Sequence, residues 1–165
     1  MRTTFATILI AILFSISATA QNSNYKASMD GWEVDLNEAY KKSQATGKPI
    51  MANFTGSDWC GWCIKLKKTV FTKKEFMEWA KKNFILLELD YPRRTQIPAK
   101  FKQQNAQLQQ AFKISGYPTV WVFEMTKDET TGNVNLNGLA RTGYKGTVKE
   151  FVNDVETQMK ASKKQ

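Results

Sequence analysis

Apolar residues in this chain come as short dense runs separated by longer polar stretches with helical spacing. Ile50-Met51-Ala52-Asn53-Phe54 and Phe84-Ile85-Leu86-Leu87-Glu88-Leu89 are nearly continuous apolar segments, the pattern of strands covered on both faces. Thr119-Val120-Trp121-Val122-Phe123 repeats it. Between these runs the spacing predicts helices. Asp35 with Glu38 three residues on has capping-box spacing and opens a helix over Leu36 to Thr46, which Gly47 and Pro49 stop. A second helix is predicted from about Cys60 to Val70. A third, opened by Thr72 and Glu75 in the same spacing, runs through Lys82. Pro98 suits the first turn of a helix reaching about Phe112. Gly132 marks a turn before a weak strand at Val134 to Leu136, with Arg141 to Tyr144 pairing beside it. Thr147 and Glu150 open a last helix over Val148 to Met159. Strands alternating with helices, then a hairpin and a terminal helix, argue for an α/β domain. Its central mixed β-sheet is flanked by helices on both faces.

The N-terminus has a different character. Arg2, the apolar stretch Phe5 to Ile16 and Ala18-Thr19-Ala20 form the charge, core and small-residue pattern of a cleaved signal peptide over residues 1–20. The apolar part is shorter than the roughly 20 residues a membrane-spanning helix needs. Residues 21–31 are polar and patternless, a mobile lead-in to one domain over residues 32–160. The expected location is therefore periplasmic or secreted, where thiols tend to be oxidised.

Composition narrows the chemistry. With 165 residues, 42% hydrophobic and 12% aromatic, the chain is neither a disordered tail nor a rod. The absence of histidine removes Cys-His and Ser-His-Asp catalysis together with every His-ligated metal site. Two cysteines are too few for an ordinary structural zinc. The formal charge of +9 is concentrated partly in Lys65, Lys67, Lys68, Lys73, Lys74, Lys81 and Lys82, read as a solvated face. No nucleic-acid partner is expected of an exported protein.

The informative motif is Cys60-Gly61-Trp62-Cys63, which follows a buried strand and opens a helix. At a helix N-terminus the unpaired N–H groups favour an anion, so a Cys60 thiolate is stabilised and becomes a ready nucleophile. Cys63 shares a face with Leu66 and Val70 and is expected to be the more buried sulfur. A structural staple is the weaker reading, since closing so small a ring gives only about 2 kcal/mol, against roughly 4.7 for a hundred-residue ring. Cu(I) ligation by the two thiolates remains an alternative. Haem attachment is excluded, because Ile64 stands where that motif needs histidine.

The segment Trp59-Cys60-Gly61-Trp62-Cys63, with Gly47-Lys48-Pro49-Ile50 before it and Gly116-Tyr117-Pro118-Thr119 after it, resembles the thioredoxin superfamily. The likeness is to its secreted members and spans about residues 32 to 158. It implies a thioredoxin-like fold with Cys60 and Cys63 as the catalytic pair. It also implies a cis Pro118 lying against them, with the Tyr117 backbone free to pair with an extended substrate chain. Trp59, Gly61, Trp62, Tyr117 and Pro118 are the expected substrate contacts. The implied function is thiol–disulfide exchange with protein disulfide substrates, as reductase or isomerase, fed by a membrane-embedded thiol electron donor. No external cofactor and no metal are needed. A disulfide-forming oxidant, a Cu(I)-binding protein and a binding module with a vestigial disulfide are the rival readings. The family's buried Asp before the cysteines is replaced by Asn53, which cannot accept a proton, so either Glu88 or Asp90 serves in its place or release of the product is slower. Arg93 and Arg94 receive no role, and no oligomeric state follows from the sequence.

Overall fold

Each of the three apolar runs folds as a strand, and a fourth strand completes one mixed sheet. The computed structural model describes residues 24–128 and 130–164, so the signal-like segment lies outside the described residues. In chain order the elements are α1 (Leu36–Thr46), β1 (Ile50–Thr55), α2 (Gly61–Leu66), a π-helical turn (Lys67–Phe71), α3 (Lys74–Asn83), β2 (Ile85–Asp90), α4 (Ala99–Ala111), β3 (Thr119–Lys127), β4 (Val134–Thr142) and α5 (Val148–Ser162). The strand order is β2-β1-β3-β4. β1 pairs parallel with β2, while β3 lies antiparallel to both β1 and β4.

Alternation along the strands divides the core into two layers. Ile50, Ala52 and Phe54 join Leu87, Leu89, Phe123 and Met125 on one face, covered by Ala39 of α1 and Leu108 of α4. Met51, Leu86, Val120 and Val122 face the other way, against Leu66, the π-turn residues Val70 and Phe71, and Phe76, Phe151 and Val155. The anticipated architecture of helices on both faces is the one observed.

Several local expectations are corrected. Asp35 caps α1 by accepting the Asn37 amide at 2.8 Å, but Glu38 turns outward to Lys41 and does not close a box. The left-handed Gly47, at φ 67°, ends this helix. At α3 the box is absent: Lys73 occupies the cap position, and the Thr72 hydroxyl donates to the carbonyls of Lys67 and Lys68. The π-turn explains this, because it binds Thr72 back into the preceding helix, with the Thr72 amide donating to the Lys67 carbonyl at 3.0 Å. The box at Thr147 and Glu150 does form. The two weak strand segments after Gly132 are one strand, β4. Its register slips between Val122–Ala140 and Phe123–Gly138, so Leu139 is an inserted residue. That bulge breaks the alternation from which a single strand would have been read.

The described part of the 21–31 lead-in is packed, not loose. Met29 is buried, and Trp32 just beyond it reaches the rings of Phe71 and Phe76. Glu33 bridges to Leu87, giving the outer side of β2 a short partner. The sequence hides this because single apolar residues in a polar stretch carry no periodicity.

Phe151 is fully buried, its ring 5.4 Å from Phe71 and 5.7 Å from Phe76. Phe151→Ala is expected to destabilise the fold by about 3–5 kcal/mol in urea unfolding. Thr147→Ala, which removes only the cap of α5, is expected to cost about 1 kcal/mol.

Candidate active site

The end of β1 delivers the chain into a tight turn that sets the first cysteine at a helix start. The Cys60 amide donates to the Gly56 carbonyl at 2.9 Å, and Cys60 itself is the extended N-cap of α2. Its Sγ accepts the Cys63 amide at 3.2 Å, so one of the otherwise unsatisfied donors of the helix points at this sulfur. Cys60 and Cys63 are joined by a disulfide. Both residues are buried to nearly the same degree, 6% and 5% exposed, so the expected difference in burial is not present in the disulfide form. The pair differs in what lies behind it: Cys63 lines a cavity together with Asn53, Thr55 and Glu88.

Two aromatic walls flank the pair. Trp62 is 57% exposed, its ring 4.8 Å from Tyr144, with the Lys65 ammonium over both rings at 5.1 and 5.5 Å. Trp59 is held on the other side. Its indole N–H donates to the Tyr91 carbonyl at 2.7 Å, Tyr117 meets it edge-on at 5.6 Å, and the Arg93 guanidinium covers it at 3.7 Å. Gly56 makes this packing possible, since a Cβ there would lie 2.5 Å from the indole. The Tyr117–Pro118 peptide is cis, as the resemblance implied, and both residues are half-buried. Gly61 is exposed and leaves open space above the start of α2.

Arg93 and Tyr144 were not assigned by sequence reasoning. Both lie far along the chain from the cysteines, and only the fold brings them to Trp59 and Trp62. Asp58 organises the loop that carries Arg93. Its carboxylate accepts the backbone amides of Arg93, Arg94 and Thr95 at 2.8–2.9 Å. These bonds, led by the Arg93 amide, hold its pKa down at about 2.

Beneath the disulfide, the face of the sheet that carries Met51 and Leu86 turns polar. Asn53 and Thr55 on β1 and Glu88 and Asp90 on β2 are all buried, with Asn53 and Glu88 in register. Asp90 accepts the Ser57 amide at 2.8 Å and is engaged by its hydroxyl as well. Glu88 takes the amide and hydroxyl of Ser28, each at 2.7 Å. Burial raises the Glu88 pKa against these hydrogen bonds. Asn53 Oδ1 is buried without a hydrogen-bond partner among the described residues. Of the two carboxylates considered in place of the missing acid, Glu88 borders the Cys63 cavity, whereas Asp90 shapes the turn.

A lowered carboxyl pKa adds stability above its unfolded value, near 3.8, which is lost as pH falls through the folded value near 2. The amide resonances of Arg93, Arg94 and Thr95 are therefore expected to titrate together with a midpoint near 2 in NMR. Asp58→Asn is expected to abolish that titration.

Comparison with known proteins agrees with this geometry. A family model described as thioredoxin-like matches residues 31–124. A protein of Chlamydia pneumoniae named disulfide bond reductase DsbH is 32% identical over 130 residues, covering 78% of this chain and 72% of that protein. A solved structure titled DsbH oxidoreductase superposes with a TM-score of 0.67 at 31% identity, over 82% of this chain and 87% of that one. A thioredoxin from Thermus thermophilus, at 16% identity and a TM-score of 0.56 over 78% of this chain and 87% of its own, shares the fold. On its strand order, its disulfide at the start of α2 and these matches, the chain belongs to the thioredoxin-like family.

Proposed function

We propose that this protein is an extracytoplasmic thiol–disulfide oxidoreductase acting on protein disulfides in the reducing direction. The observation that carries the reading is the Cys60–Cys63 disulfide at the N-cap of α2, beside an exposed Trp62. In the reduced protein the Cys60 thiolate attacks a client disulfide, forming a mixed disulfide and releasing one client thiolate. Cys63 then attacks the Cys60 sulfur and releases the second, leaving the Cys60–Cys63 bond that the structure contains. The donated Cys63 amide and the helix start lower the cost of the Cys60 thiolate in both steps.

Trp62 offers the client an apolar surface next to the sulfur, and Gly61 leaves room for its approach. Trp59, Tyr117 and Pro118 serve as further client contacts, Trp59 and Tyr117 packing edge-on at 5.6 Å. The signal-like residues 1–20 support a location outside the cytoplasm, and the reductase name of the DsbH relative supports the direction. Sustained reduction there requires renewed electrons, for which a membrane-embedded thiol donor is the fitting partner.

Insulin reduction by dithiothreitol tests the reading: the wild type accelerates it, and Cys60→Ser brings it to the uncatalysed rate. Cys63→Ser is expected to accumulate mixed disulfides with clients, identifiable by mass spectrometry. Equilibration with glutathione should place the pair below about −200 mV; a value near the −120 mV of strong oxidants would reverse the direction. Trp62→Ala is expected to lower kcat/KM for insulin by about tenfold, the effect of losing a central aromatic contact.

A further inference from the structure

We propose that the rim of the cysteine pair selects clients whose disulfide is flanked by acidic residues, with Lys65 and Arg93 as its specificity-determining cations. This rests on the exchange reading above and names the substrate class that it leaves open. The charge around the pair is one-sided. Segments 56–72, 91–98, 113–118 and 143–147 carry the cysteines and their aromatic walls. Between them they hold seven lysines and arginines against a single carboxylate, Asp58. That carboxylate is spent internally, on the amides of Arg93, Arg94 and Thr95.

How the two cations are held matters more than their number. Lys41, Lys42, Lys74, Lys100 and Lys145 each have a carboxylate partner. Among the described residues Lys65 and Arg93 form no ion pair, and both are exposed. Aromatic faces hold them instead. Lys65 lies over the rings of Trp62 and Tyr144, and Arg93 lies over Trp59. A ring face orients a cation without cancelling its charge or occupying its N–H donors. Each therefore stays available to a carboxylate arriving from outside. The Arg93 position is built into the fold: Asp58 fixes the backbone of its loop, and the Trp59 indole beneath it is pinned to the Tyr91 carbonyl and packed against Tyr117.

Trp59 directly precedes Cys60 and Trp62 directly precedes Cys63, so each cation rests on a residue adjoining a reacting sulfur. A client carboxylate beside its own disulfide would otherwise repel the Cys60 thiolate, and the two cations offset that repulsion. Trp62 and Ile64 are exposed on the same short helix as Lys65 and offer the same segment an apolar contact. The favoured client is thus a chain in which acidic and apolar residues surround the disulfide. Opposite charge at such a rim acts chiefly on the rate of encounter, and so on kcat/KM, and it weakens as salt screens it.

Two fluorogenic peptides with one internal disulfide each provide the test, one with Asp and Glu flanking both cysteines and the other with Ser at those positions. At low ionic strength the wild type should show a kcat/KM about tenfold higher on the acidic peptide, the size expected of two partly exposed charge pairs. Salt at about 0.5 M should remove most of that preference. Lys65→Gln/Arg93→Gln should bring the ratio of the two rates close to one. A double variant that slows both peptides equally, leaving the ratio standing, overturns the proposal. Lys74→Gln/Lys81→Gln removes the same charge from exposed positions on α3 and should keep the wild-type ratio; an equal loss there makes net charge the cause and overturns the assignment. A wild-type ratio near one at low salt overturns it as well, and binding of the wild type, but not of the Lys65/Arg93 variant, to phosphatidylglycerol vesicles would then give these cations to a membrane surface. A wild type that reduces neither peptide sinks the exchange reading itself, so the two failures are distinguishable.

Discussion

One donated amide organises this molecule: the Cys63 N–H aimed at the Cys60 sulfur where β1 hands the chain to α2. That geometry needs a strand rigid enough to fix the start of the turn and a helix held from behind. β1 supplies the first, buried at every position and paired on both sides. Leu66 and the π-turn residues supply the second by packing into the larger aromatic core. The disulfide therefore follows a strand buried at every position, although it has to meet solvent-borne partners. Trp62 resolves this conflict by projecting outward while Cys63 and Leu66 on the same short helix turn inward.

The same face of the sheet serves two purposes along its length. Toward the start of β1 and β2 it presents Met51 and Leu86 to Phe76 and Phe84. Toward their ends it carries buried Asn53, Thr55, Glu88 and Asp90, the first three lining the cavity behind Cys63. Every one of these polar groups costs solvation when buried, so their concentration at this end of the sheet is a local sacrifice of packing for chemistry. The carboxylates divide the labour. Asp90 is committed to the turn through Ser57, and Glu88 is left beside the cavity.

The scaffold was largely legible because its signals are local. Continuous apolar runs marked β1, β2 and β3, and cysteines just after a strand marked the redox site without reference to distant residues. What was hidden depends on geometry that spacing does not encode. The capping-box spelling occurs three times, yet Glu38 finds Lys41 more readily and Thr72 is captured by the π-turn, leaving only Thr147 with Glu150. β4 was divided because Leu139 is inserted into its alternation. Arg93 and Tyr144 could not be placed, since a cation or an aromatic in a loop has no period that names its partner. Asn53, Glu88 and Asp90 came into view through the family resemblance, which has a buried acid where Asn53 stands, and all three are buried in the structure.

The packing of Ser28 and Met29 alters what counts as the functional unit. A chain trimmed to begin at Trp32 would retain every helix and strand of the fold. It would also lose both hydrogen bonds to Glu88 and one wall of the cavity behind Cys63. The boundary of the domain is thus set by two residues, one donating to a buried carboxylate and one filling the core, in a stretch too short and too polar to announce itself.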